Sequence, residues 1–384
     1  MAREGCLTVI IIAFIFILIY SAILLWFYTG LNAKSIASFE SNNYSPMVSV
    51  VVAARNEENN LAPLLLSLCQ QNYPQNMIEI IIANDRSTDR SADIIHEFKN
   101  KNSMIKMVSI LETPVGWAPK KWALNCAIRA SGGEIILFTD ADCIPSNSWV
   151  SGIVQEFSDP AVGFVSAPAP LTSRKEFIDE IFLLDSLTQD GFSAGSICQG
   201  IPLSCTGRNM AIRKTIFDEV GGYKGFQNIQ SGDDDLLLQK VSTLTSAKIN
   251  FRMNADAMVY SSPPQTVNEF IQQRLRFASK GISYYKLNTT LGMKLILPLL
   301  YITNIIAVIA IFTIIQGEGS RIVPLLLLGL KSISDGIYSY KIFRNLKIQW
   351  PFIAFLILTI LHPIYVVAFG AMGPFSTIRW KTDD

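Results

Sequence analysis

Only two histidines, His96 and His362, occur in the 384-residue chain, and they lie far apart. A zinc site built on several histidines is thereby excluded, and a Ser-His-Asp triad is disfavoured. The six cysteines form no CxxC pair; they read as reduced thiols facing the cytosol rather than as a zinc site or a disulfide framework. Charged residues make up 16% of the chain and the net charge is +1. Soluble domains carry roughly 25% charged residues, so a fully soluble enzyme is disfavoured, and there is no basic excess to hold nucleic acid. Neither GxGxxG nor a Walker loop is present, which leaves a Rossmann dinucleotide site and a P-loop without support.

Apolar residues, by contrast, fill half of the chain, and they are unevenly spread. Leu7 to Tyr28 is free of charge and ends in Tyr20, Trp26 and Tyr28. It is long enough to span a bilayer and too long for the core of a cleaved signal peptide, so an uncleaved anchor is expected. Three more spans are expected at 295–315, 322–340 and 350–371. The loop 341–349 holds Lys341, Arg344 and Lys347 and no acid. By the positive-inside rule it is cytoplasmic, and so is the region before Leu295; both termini are then expected outside. Lys331 and Asp335, four residues apart, suit a structural ion pair within a span better than a substrate contact.

Between the spans, residues 34–290 carry most of the charge. MVSVVVAA (47–54) reads as a strand buried on both faces, and IEIIIA (78–83), MIKMVSI (104–110) and EIILFT (134–139) as further strands, alternating with helices near 59–71, 89–99 and 120–131. That pattern predicts an α/β fold with a mostly parallel sheet, whose ligands bind beyond the carboxyl ends of the strands.

Acidic residues follow those strand ends. Asp140-Ala141-Asp142 directly follows the fourth strand. Residues i and i+2 of an extended chain point the same way, so both carboxylates can hold a hard divalent cation that bridges diphosphate oxygens; a solvated turn is the plainer reading. Asp85 is placed to accept from a base or ribose, whereas Asp89 is expected to cap the next helix. Lys120 and Lys121 are either phosphate counter-charges or a basic surface turn. Asp233-Asp234-Asp235 opens a helix, and three adjacent acids exceed what the helix dipole needs. Their repulsion raises a pKa and suits one of them to be a general base. The stretch 267–287 reads as one amphipathic basic helix, either lying at lipid headgroups or offering arginines to phosphate.

Taken in order, VVAARNEENN (51–60), ANDRSTD (83–89), GWAPKKWALN (116–125), FTDADC (138–143), CTGRNMAI (205–212), SGDDDLLL (231–238) and QRLRF (273–277) resemble the membrane-bound family 2 glycosyltransferases. These are inverting enzymes of the GT-A fold, with ceramide glucosyltransferase-like, cellulose synthase-like and hyaluronan synthase-like members. The resemblance implies a nucleoside pocket lined by Ala54, Glu57 and Asp85, and a diphosphate near Lys121. It implies Mg or Mn held by Asp142 with Asp140. Asp234 would be the base, with Asp233 as the alternative, and Gln273, Arg274 and Arg276 would lie near donor diphosphate and acceptor. Asn84, Asp233 and Phe277 stand where the family's usual Asp, Glu and Trp would be.

The expected organisation is an anchor at 1–33, a cytoplasmic GT-A domain at 34–266, an interface helix at 267–290 and a membrane region at 291–384. The expected activity moves a sugar from a UDP- or GDP-sugar to a lipid or lipid-linked acceptor, in a multi-pass protein of a bacterial inner membrane. A polysaccharide synthase subunit and an inactive GT-A scaffold are the rival readings.

Overall fold

The computed structural model describes residues 2–33, 44–171, 176–317 and 320–376, with side chains from Leu7 onward. Met1, Glu318 and the IRWKTDD tail, on which part of the loop and terminus reading rests, lie outside the described residues.

Among the described residues the strands are β1 (Val48–Ala54), β2 (Ile78–Asp85), β3 (Ile105–Ile110), β4 (Ile135–Phe138), β5 (Cys143–Pro145), β6 (Val162–Ser166), β7 (Met210–Arg213), β8 (Lys248–Phe251) and β9 (Val259–Ser261). Seven form one sheet in the order β3-β2-β1-β4-β7-β6-β8. The pairs β3-β2, β2-β1 and β1-β4 are parallel, and β7 enters antiparallel between β4 and β6. Every residue of β1 and β2 is buried, which explains their unbroken apolar runs. Where β4 begins, the backbone passes so close to β1 that a Cβ on Gly133 would lie 2.5 Å from the Ser49 amide nitrogen.

The helices are α1 (Ala2–Ala33), α2 (Leu61–Cys69), α3 (Ser91–Lys101), α4 (Pro119–Arg129), α5 (Trp149–Val154), α6 (Phe177–Cys198), α7 (Lys214–Glu219), α8 (Asp235–Leu244), α9 (Val267–Ser279), α10 (Ser283–Lys286), α11 (Leu291–Gln316), α12 (Ile322–Leu346) and α13 (Phe352–Met372). The amphipathic stretch expected as one helix is two, α9 and α10, parted at Gly281, which lacks a Cβ to hold a helix. The five described cysteine side chains that can be paired or free, Cys69, Cys126, Cys143, Cys198 and Cys205, are all free thiols.

Four helices, α1, α11, α12 and α13, are long and apolar enough to cross a membrane. They are not detached from the α/β domain. Helices α1 and α12 run side by side in the same direction: Tyr20 donates to Asp335, Ser334 to Ser21, and Asn345 to the Leu31 carbonyl. Lys331 pairs with Asp335 at 2.7 Å, so the intramembrane charges are a structural pair joined to α1. Both helices press on α6, where a Cβ on Gly195 would meet the Phe27 Cβ at 2.7 Å.

Helix α13 follows α9 in the same sense, through Phe270 against Tyr365 and Phe369 and then Ala278 beneath Gly373. The end of α13 therefore rests on the end of α9.

Candidate functional site

At the carboxyl edge of the sheet, the turns after β1 and β2 are laced together. Asn56 and Arg86 both adopt φ of 52°, the left-handed region that non-glycine residues seldom enter without compensation. The Asn56 side chain accepts from the Thr88 amide at 2.8 Å, and its own amide donates to Ser87 at 3.1 Å. Asp89 accepts from the amides of Ser91 and Glu58 at 2.9 and 3.0 Å. The N-cap of α3 is Arg90, without a side-chain cap bond, so Asp89, expected to cap, sits one residue earlier and ties the two turns instead; against the effect of burial these bonds hold its carboxyl below the ordinary value.

Ala54 ends β1 opposite Asn84 of β2. Glu57 is half-buried and accepts from the Asn60 amide side chain at 2.7 Å. Asp85 is fully buried, with Arg86 at 2.9 Å and Arg55 at 3.8 Å. Those two arginines went unremarked in the sequence, although they flank the motifs that hold Ala54 and Asp85.

The acidic elements meet on one lysine. Lys120, near the start of α4, reaches Asp140 at 2.9 Å and Asp233 at 3.0 Å. Thus the Asp-Ala-Asp turn after β4 and the acidic run before α8 share a single ammonium, although 93 positions separate Asp140 from Asp233. Against burial, which favours the neutral amine, the two carboxylates hold Lys120 protonated, and Arg276 is near enough to oppose its charge. Asp142 is exposed and forms no ion pair among the described residues.

Lys121 has another task. It is 1% exposed and donates to the carbonyls of Ile229 and Ser231, the second at 2.8 Å. It thereby ties the acidic run to α4 and does not face the Asp-Ala-Asp turn. Burial lowers its pKa to about 8, opposed by Asp233 and Asp234. Successive helical residues differ by about 100° in direction, so only one lysine of the pair can face the acids.

The three acids before α8 are divided. Asp235 is fixed by Ser204 and the Cys205 amide on one oxygen, and by Tyr284 and Lys280 on the other. Asp233 belongs to Lys120; against burial, Lys120 and Lys121 hold its carboxyl far below the usual range. Asp234 accepts from the Asp235 and Gly207 amides at 2.7 and 3.1 Å, with Lys280 at 3.4 Å. Burial and the charges of Asp235 and Asp233 raise its pKa, Lys280 opposing. A carboxylate so raised is suited to take a proton from a hydroxyl.

On α9, Gln273, Arg276 and Lys280 share one face by their spacing of three and four. Gln273 is half-buried and forms no hydrogen bond among the described residues. Arg274 belongs to the stripe of Phe270 and turns away from the acids. Its guanidinium pairs with Asp185 of α6 and lies over the rings of Phe270 and Tyr365. Lys280 was not singled out in the sequence, although the stripe that starts at Gln273 points to it.

The donor set suits a hard divalent cation. Asp140 and Asp142 offer oxygen ligands, one already neutralised and one free. No group of three His, Cys, Asp or Glu that could hold a metal occurs among the described residues. A cation there takes its remaining ligands from phosphate oxygens and water, as Mg commonly does.

The sequence model of the family described as "Glycosyl transferase family 2" matches residues 49–221. A probable glycosyltransferase, YdaM of Bacillus subtilis, is 29% identical over 246 residues, 62% of this chain and 56% of that one. A beta-monoglucosyldiacylglycerol synthase of Nostoc is 29% identical over 192 residues, 50% of this chain and 40% of that one. The chain spans about half the length of the curated relatives it matches. Among solved structures, a mannosyltransferase from Pyrobaculum calidifontis, in complex with GDP-Man and Mn2+, is similar with a TM-score of 0.57 at 16% identity. The match covers 95% of this chain and 98% of that one, and the likeness is one of fold.

Proposed function

This chain carries a glycosyltransferase family 2 domain, and from that premise we propose that it is a membrane-anchored inverting enzyme which moves a sugar from a UDP- or GDP-sugar to a lipid or lipid-linked acceptor. The observation that carries the reading is Lys120 held between Asp140 and Asp233, which joins a cation-binding turn to a cluster of candidate bases. The acceptor class is supported by the four apolar helices and by relatives whose name specifies a diacylglycerol product.

In this reading Ala54, Glu57 and Asp85 receive the nucleoside, with Arg55 and Arg86 fixing the Asp85 carboxylate. Asp140 and Asp142 would hold Mg or Mn, which would supply positive charge beside the diphosphate. Asp234 takes the proton of the acceptor hydroxyl. The oxygen attacks the anomeric carbon as its bond to the diphosphate breaks, and an α-linked donor yields a β-glycoside. Asp233, tied to Lys120, keeps its charge and serves as counter-ion. Arg276 and Lys120 face the diphosphate. The basic loop 341–349 supports a cytoplasmic catalytic domain at a bacterial inner membrane.

The test measures UDP and GDP release from nucleotide sugars, with membrane extract as acceptor. Asp142→Asn and Asp234→Asn should each reduce release by about 100-fold or more, the scale seen when one charge-stabilising group is removed. Equal release by all three proteins would refute the reading.

A further inference from the structure

A cavity of about 430 Å³ lies between α6, α9 and α13. Its walls are apolar, with Ile181 and Phe182 from α6, Phe270 from α9, and Leu358 and Leu361 from α13. Four polar residues line it: Gln265 and Thr266 before α9, and Asp185 and Tyr365, which belong to the cluster that pins Arg274. Within that cluster the buried Arg274 Nε has no hydrogen-bond partner among the described residues.

We propose that this cavity takes one hydrocarbon chain of the lipid acceptor, with the lipid's polar junction at the Asp185–Arg274–Tyr365 end. The inference rests on the sugar-transfer reading and gives its acceptor a place. Three observations carry it. First, the rim is exposed and apolar: Ile178, Val267, Leu361 and Ile364 are 40% exposed or more. On α13 that surface continues through Phe352, Ile353, Leu356 and Ile360, the face a bilayer would cover. Second, apolar walls ending in a few polar groups, among them Asp185 and Tyr365, match an amphiphile. Third, α9 joins the two places. Phe270 lines the cavity, and Lys280, after the last turn, touches Asp234. Ten residues at 1.5 Å each put them about 15 Å apart, a span within reach of a lipid's polar head.

The test uses the full chain in phosphatidylcholine nanodiscs doped with a diacylglycerol carrying a mid-chain diazirine. Photolysis followed by peptide mapping reads which residues the chain touches. Adducts are expected on α6 and α13 at the cavity wall, and Ile181→Trp should reduce them by about tenfold, a change of 1.4 kcal/mol in binding. Labelling at the outward-facing Ile309 and Ile337 should stay unchanged. Leu361→Trp fills the cavity from the other wall and should act alike. Stabilisation of each variant by UDP- or GDP-sugar with Mn, read by thermal shift, shows that it is folded. Adducts confined to outward faces, or wall adducts that both tryptophans leave intact, would overturn the proposal. A wild-type protein that no nucleotide sugar stabilises would instead overturn the sugar-transfer reading, whatever the labelling pattern.

Discussion

At the scale of single residues, Lys120 holds two carboxylates at once. Its ammonium neutralises Asp140 and Asp233 together, so in the proposed reading a divalent cation would compete with it for Asp140. Lys120→Gln should therefore bind Mn more tightly without nucleotide, by about tenfold, whereas Lys120→Arg should resemble the wild type; Mn titration followed by electron paramagnetic resonance reads both. No gain in the glutamine variant would show that the lysine does not guard the turn.

Asp190, on α6, carries a pH dependence of another kind. Burial pushes its carboxyl up to about 6, with Arg208 and the Ala169 amide opposing. A raised carboxyl favours the folded state below its unfolded value of 3.8, and that contribution is lost as pH climbs through about 6. Asp190→Asn should thus leave the thermal midpoint at pH 4 near wild type and raise it at pH 8, by an equivalent of about 2 kcal/mol. A difference between the two proteins that does not vary with pH would contradict this.

At the scale of elements, α6 is the floor on which the apolar helices stand. Gly191 and Gly195, four apart, allow close approach: a Cβ on Gly195 would meet Phe27 and the Tyr338 hydroxyl. Gly195→Val should therefore lift α1 and α12 away, at a loss of about 1–3 kcal/mol. Limited proteolysis in detergent should cleave the variant near α6 faster than the wild type; identical digestion would refute the packing argument.

This helix is also where the sequence was least legible. Asp179, Asp185 and Asp190 interrupt its apolar pattern, and the partners of Asp185 and Asp190 include groups from α9, α13 and the turn after β6. Strands β1, β2 and β4 were readable because burial on both faces leaves unbroken apolar runs, whereas β3, at the sheet edge, exposes Lys106 and Ser109. The antiparallel β7 was not readable as a strand, since its four residues carry too short a pattern; its neighbourhood stood out only through the CTGRNMAI motif. The acids of the site could be located from their strand ends. Which lysine met them could not, because Lys120 and Lys121 differ only in helical direction.

For the whole molecule, the polar contacts between α1 and α12 matter more than their number suggests. The pair Lys331–Asp335 lies in an apolar setting, where removing one partner leaves the other charge uncompensated. Asp335→Leu should destabilise the protein more than Lys331→Met with Asp335→Leu together. Thermal midpoints in one detergent compare them, and a double variant no better than the single would argue that Tyr20 alone holds Asp335. The second consequence concerns α9, a single rod that touches Arg274's partners on one side and the acids on the other. Its phase acts as a gauge. One residue inserted directly after Arg274 would turn Arg276 and Lys280 by about 100° while Phe270 and Arg274 keep their stripe, uncoupling the two half-sites.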